Sequence, residues 1–146
     1  MKPIVFVCLL LMSMLSLQCS KKSDDLSGRM TTILGKWKVI QFGYDSNNNG
    51  VLEASEIQNA PSDPVQEQEF LAGGSATMYF IISGTTYTTN YSWSLINDYT
   101  QIQLISNPGT VGQITTTQLI YSLDKTSLIE KNNSATDSSY VILSKL

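Results

Sequence analysis

Residues 45–56 read Asp-Ser-Asn-Asn-Asn-Gly-Val-Leu-Glu-Ala-Ser-Glu, with side-chain oxygens at alternating positions. Asp45, Asn47 and Asn49 stand first, third and fifth. Gly50, sixth, permits a sharp turn. Val51, seventh, offers its carbonyl. Glu53 and Glu56 stand ninth and twelfth, and Leu52, eighth, is apolar. Calcium is a hard cation that takes about 6–8 oxygen ligands, and this spacing turns successive oxygens toward one point. Ca²⁺ is therefore the metal these residues would hold, at Asp45, Asn47, Asn49, Val51, Glu53 and Glu56. With three carboxylates and two Asn, the expected affinity is weak, roughly 10⁻⁴–10⁻³ M. The same composition also suits a metal-free connection held by Asx turns.

Other chemistry is scarce. The 146 residues contain no histidine, which removes His-ligated zinc, Ser-His and Cys-His nucleophiles and a His general base. The formal net charge of −3 speaks against nucleic acid, which needs clustered Lys and Arg. A hydrolase working with two carboxylates is a distant alternative. Most of the acids lie in the tether or loop (Asp24, Asp25, Asp45, Glu53, Glu56) or at turns (Asp98, Asp124), and Glu67 and Glu69 sit in a polar segment that reads as a solvated face. The chain is read as non-enzymatic.

Charged residues make up 14% of the chain, well below the roughly 25% of an ordinary domain. Ser, Thr, Asn and Gln must cover the surface instead, which suits strands and turns. The N-terminus is an address. Lys2 precedes an apolar run over 4–17 that is shorter than the about 20 residues a bilayer span requires. Ser16-Leu17-Gln18-Cys19 closes it. This segment resembles the lipobox of bacterial lipoproteins, although Gln18 replaces the usual Gly or Ala. The resemblance implies a signal peptide over 1–18, lipid such as palmitate on Cys19, and a tether over 19–32. It also implies anchoring to the membrane of the cell envelope, a Gram-negative outer membrane, on its periplasmic or surface side. An ordinary signal peptide, or a core helix with a chance cysteine, is the alternative. Cys8 would be discarded with the signal, so the two cysteines are not a redox pair.

From residue 34 the dominant period is two. Trp37, Val39 and Gln41 alternate with Lys38, Ile40 and Phe42. Met78, Phe80 and Ile82 share a face, as do Tyr91, Trp93 and Leu95. Further strands are expected over 101–106, 113–121, 126–132 and 139–146, with turns at Asn97-Asp98, Asn107-Pro108-Gly109 and Leu123-Asp124-Lys125. Helices are expected only over 25–34 and 64–71. The fold class is all-β, an antiparallel up-and-down barrel of seven to eight short strands over 33–146.

Leu34-Gly35-Lys36-Trp37 opens the strand region. Gly35 and Trp37 resemble the Gly-x-Trp of lipocalins and of the short lipocalin-like domains of secreted bacterial lipoproteins. The resemblance implies that Trp37 plugs the closed barrel end beside a cation of the last strand, for which Lys145 is the candidate. It also implies a small apolar ligand in the barrel. Tyr79, Phe80, Tyr87, Tyr91, Trp93 and Tyr121 would line that cavity or simply fill the core. The loop 45–56 is similar to an EF-hand calcium loop, without the flanking helices. A filled barrel with a structural or adhesion role is the other non-enzymatic reading.

Overall fold

The structure, a computed structural model, describes residues 22–132 and 138–146. The expected signal peptide and Cys19 lie outside the described residues. Helix α1 (Lys22–Ile33) is followed by nine strands: β1 (Gly35–Tyr44), β2 (Ile57–Asn59), β3 (Val65–Phe70), β4 (Ser75–Ile82), β5 (Thr85–Ile96), β6 (Gln101–Ser106), β7 (Ile114–Leu123), β8 (Ser127–Asn132) and β9 (Ser139–Lys145). Every pairing is antiparallel. Strands β3 to β9 follow one another in order, and β1 joins β3 on one side and β9 on the other. Eight strands thus close an up-and-down barrel, as expected for this pattern of short alternating segments. Closure removes the sheet edges. The short β2 pairs with the far end of β1, at Gln41, Phe42 and Gly43.

Local chemistry explains the turns. Ser83 and Gly84 both have positive φ, the geometry of a two-residue hairpin matched to the twist of its strands. Asn97 and Asp98, with short polar side chains that tolerate the left-handed region, reverse the chain between β5 and β6.

Two expectations are corrected. Residues 64–71 are not helical. They contain β3, in which Gln68 and Phe70 are buried while Glu67 and Glu69 meet Lys36 and Tyr79. The inward side of this strand is partly polar, so apolar periodicity missed it. In β1 a bulge falls at Ile40, between Val39 and Gln41. One extra residue reverses the alternation beyond it. Phe42, opposite Val141, therefore packs with the core alongside Trp37 and Val39, and Gln41 hydrogen-bonds Asn59. The helix expected over 25–34 is present as α1, Lys22–Ile33.

The core fills one end of the barrel. Trp37, Phe70, Ala76, Trp93, Ile102, Leu104, Leu128 and Leu143 pack there, with Ile33 of α1 fully buried among them. Phe70 meets Trp93 edge to face at 5.1 Å, and Trp93 Nε1 donates to Leu71 O at 3.0 Å.

Candidate ligand site in the barrel

The closed end is built around Gly35 and Trp37. Trp37 Nε1 donates to Ile33 O at 2.7 Å, so the last residue of α1 is tied to the barrel floor. Lys145 Nζ lies 5.0 Å from the Trp37 ring centroid and donates to Thr32 O at 2.9 Å. Gly35 has φ +113, and a Cβ there would lie 3.1 Å from Lys145 Cε. Lys145 thus stands where the sequence resemblance places a cation, and glycine gives it room.

Above this packed floor the interior turns polar. Glu130 of β8 is 3% exposed, and Gln68 of β3 is also buried. Gln68 Nε2 donates to Glu130 Oε1 at 2.8 Å across the barrel interior. No salt bridge reaches Glu130 among the described residues. Burial penalises its charged form and outweighs the Gln68 hydrogen bond, so its pKa is pushed up to about 7. On the neighbouring strand Gln118 is diagonal to Glu130, since Ile120 stands opposite Glu130 and Gln118 opposite Asn132. Gln118 Oε1 is buried and has no hydrogen-bond partner among the described residues.

Two voids meet at this layer. One, of about 90 Å³, lies among Val39, Gln68, Met78, Gln118, Glu130, Val141 and Leu143. The other, of about 160 Å³, is bordered by Thr116, Gln118, Glu130, Asn132, Ser139 and Val141. Beyond them lies the open rim of strand ends, where β4 ends at Ile82 and β5 begins at Thr85. Phe80 and Tyr87 are cross-strand partners there, and Tyr87 is 57% exposed. Ile114 is exposed nearby on the same rim of strand ends.

The six aromatic residues expected to line a cavity do not converge. Phe80 borders the smaller void, and Tyr87 stands at the mouth. Tyr91 and Trp93 belong to the packed core. Tyr79 borders the smaller void, but its hydroxyl donates to Glu69 Oε2 at 2.7 Å and its ring lies under Lys36 Nζ at 4.5 Å. Tyr121, the bulged residue of β7, stacks edge to face on Tyr140 at 5.2 Å. The polar trio Gln68, Gln118 and Glu130 was not among the candidates. Its signal lay in Leu128-Ile129-Glu130: at period two, Glu130 shares the inward face of the fully buried Leu128.

The acidic loop leaves β1 at Asp45 and folds over the barrel wall. Asp45 is buried, and its two oxygens accept from Asn49 N at 3.1 Å and Gly50 N at 2.9 Å. Asn47 Oδ1 accepts from Asn49 N and Asn49 Oδ1 from Val51 N, a run of Asx turns. Glu53 Oε1 accepts from Asn49 Nδ2 at 3.1 Å. Glu56 lies in a 3-10 turn (Ala54–Glu56) and returns to the loop start, accepting from Ser46 N and Oγ, both at 2.8 Å. The Ser46 hydroxyl, then the Glu53 N–H, hold the Glu56 pKa below the usual carboxylate range. Leu52 packs on Gly43, where a Cβ would meet it at 2.6 Å. All the side chains expected to bind calcium are thus in one folded turn, tied by its own N–H groups. Each Asx oxygen that accepts one N–H keeps a second lone pair. Among the described residues no three His, Cys, Asp or Glu side chains stand together as a metal cluster.

No protein-family model matches the chain, and no curated protein matches it. Solved structures do. The barrel is similar to a lipocalin-like protein from Bacteroides uniformis, with 18% identity over 79% of this chain and 99% of that one and a TM-score of 0.56. It is similar to an uncharacterized protein from Bacteroides eggerthii, with 12% identity over 78% of this chain and 99% of that one and a TM-score of 0.57. It is also similar to insecticyanin from the tobacco hornworm Manduca sexta, with 14% identity over 80% of this chain, 62% of that chain and a TM-score of 0.57. At these identities the likeness is one of fold: the barrel is lipocalin-like.

Proposed function

We propose that the chain is a lipid-anchored, non-enzymatic binding protein of the cell envelope, whose barrel takes a small amphipathic ligand. One observation carries this reading: the Gln68, Gln118 and Glu130 layer, buried beneath an open apolar mouth. Burying such groups costs free energy unless they are hydrogen-bonded. A barrel that served only as a scaffold would be better filled with apolar side chains. The voids are small. A cavity of about 150 Å³ accepts benzene, so the ligand would enclose a group of that size and leave the rest in the mouth. Binding is favoured over catalysis because the other carboxylate bordering the smaller void, Glu67, is held by Lys36 at 2.6 Å. That leaves Glu130 without the facing partner a two-carboxylate hydrolysis requires.

The anchor part rests on Lys2, the apolar run and Cys19, followed by a charged Ser20-Lys21-Lys22-Ser23-Asp24-Asp25 stretch. More than one acyl chain would make the attachment stable. The loop 45–56 would hold Ca²⁺ through Asp45, Asn47, Asn49, Glu53 and Glu56 with the Val51 carbonyl, and the ion would brace the β1 end of the wall.

The neutral fluorophore N-phenyl-1-naphthylamine tests the pocket. The expected result is a saturable rise in emission that Val141→Phe, which fills both voids, strongly reduces. A signal that does not saturate, or that Val141→Phe leaves unchanged, would replace this reading with that of a filled structural barrel.

A further inference from the structure

Two buried acceptors meet in the barrel with too few donors. Gln118 Oε1 has no partner among the described residues, and Glu130 receives a hydrogen bond from Gln68 alone. Both residues border both voids, so a molecule in either void reaches the same pair. Val39, Met78, Val141 and Leu143 supply contact but no donor, and the lining residues that do carry donors, Gln66, Thr116, Asn132 and Ser139, make no hydrogen bond to Gln118 Oε1.

The charges nearby are committed elsewhere. Glu67 is paired with Lys36. Tyr79 donates to Glu69. Lys131 borders the larger void, but its Nζ sits over the Tyr140 ring at 5.0 Å. Gln118, Val141 and Leu143, which face Glu130 from β7 and β9, do not ionise.

We infer that the site selects a ligand carrying a primary ammonium group on a small apolar body, received by Glu130 and Gln118; this rests on the pocket reading above. An ammonium brings three donors and one positive charge. It can satisfy both orphaned acceptors and neutralise the carboxylate. A hydroxyl brings one donor and no charge, and a carboxylate brings more acceptors to a site already short of donors. Below neutral pH, binding would proceed as Glu130–COOH plus ammonium giving a carboxylate–ammonium pair, with one proton released to solvent.

Benzylammonium, benzyl alcohol and benzoate share one ring and differ only in the head group. Each is titrated into the purified chain by calorimetry at pH 7.5, and benzylammonium also at pH 5.5 in buffers of different ionisation enthalpy. Hydrogen bonds to charged groups exceed neutral ones by about 1–1.5 kcal/mol, so benzylammonium should bind on the order of tenfold more tightly than benzyl alcohol. Benzoate should bind least. At pH 5.5 benzylammonium binding should release close to one proton, and the release should fade above pH 8. In Glu130→Gln, checked for folding by circular dichroism, the ammonium-to-alcohol ratio should fall toward one and proton release should vanish. Equal affinities for benzylammonium and benzyl alcohol, or a preference that survives in Glu130→Gln, would overturn the inference and leave the pocket reading standing. Binding of none of the three would overturn both.

Discussion

Replacing Glu130 by Gln should make the protein more stable in alkaline solution. In the fold Glu130 keeps its proton up to about pH 7, because burial disfavours the carboxylate. The unfolded chain gives up the same proton near the ordinary value of 4.5. Between these values the unfolded state binds fewer protons than the folded state, so raising the pH favours unfolding. The loss starts near pH 4.5 and is complete once the pH exceeds about 7. At about 1.4 kcal/mol per pH unit over that window, the parent protein should lose about 3 kcal/mol. Glu130→Gln has no proton to lose, and its amide oxygen can still accept from Gln68. Two other carboxylates shift the opposite way. Glu56 and Asp124 are held below their usual range by hydrogen bonds, so the stability they contribute is lost only at more acid pH. They change neither the window nor the comparison. Urea unfolding followed by the emission of Trp37 and Trp93, both buried, measures the effect. The two proteins should be close at pH 4.5 and differ by about 3 kcal/mol at pH 8.5, with the variant the more stable. Parallel stability curves across this range would refute the claim that Glu130 is buried without a compensating charge.

Calcium at 10 mM should stabilise the parent protein by about 1–3 kcal/mol, given the weak affinity expected of such a loop. Glu53→Gln with Glu56→Gln should abolish that gain, and magnesium should not reproduce it; thermal unfolding checks both. Lys145→Met should cost about 2 kcal/mol in urea unfolding, because it removes the cation over Trp37 and the bond to Thr32 O. Cys19→Ser should prevent incorporation of labelled palmitate in a Gram-negative host and leave an unprocessed precursor, seen by gel mobility and mass spectrometry.

Much of the barrel was legible because its physics is local. Tyr91, Trp93 and Leu95 alternate with serines, and Asn97-Asp98 has residues that accept positive φ. Gly35, Trp37 and Lys145 were legible as a pattern of types, and the fold brings them together. The unread features are those that depend on distant partners. The bulge at Ile40 is set by register against β9, which a single strand does not announce. Strand β3 hid because Gln68 faces the interior, where hydrophobic periodicity looks for aliphatics. Glu130 was missed because a carboxylate is not looked for on an inward face, although its spacing from Leu128 points it there; the Gln68 that donates to it lies 62 residues away in sequence. The aromatic candidates are spread apart in the fold because ring type says nothing about which face of the wall a side chain occupies. The register sends Tyr79 to Glu69 and Lys36, and the bulge sends Tyr121 to Tyr140.

The location of a bound molecule bears most directly on the account. A methyl-region NMR spectrum of the protein, recorded with increasing benzyl alcohol, separates the barrel interior from the apolar groove of about 350 Å³ beside α1, which Met30 and Leu34 line. Saturable shifts are expected at the Val39, Met78, Val141 and Leu143 methyls, with Met30 and Leu34 unmoved. Shifts confined to Met30 and Leu34, or none that saturate, would contradict it.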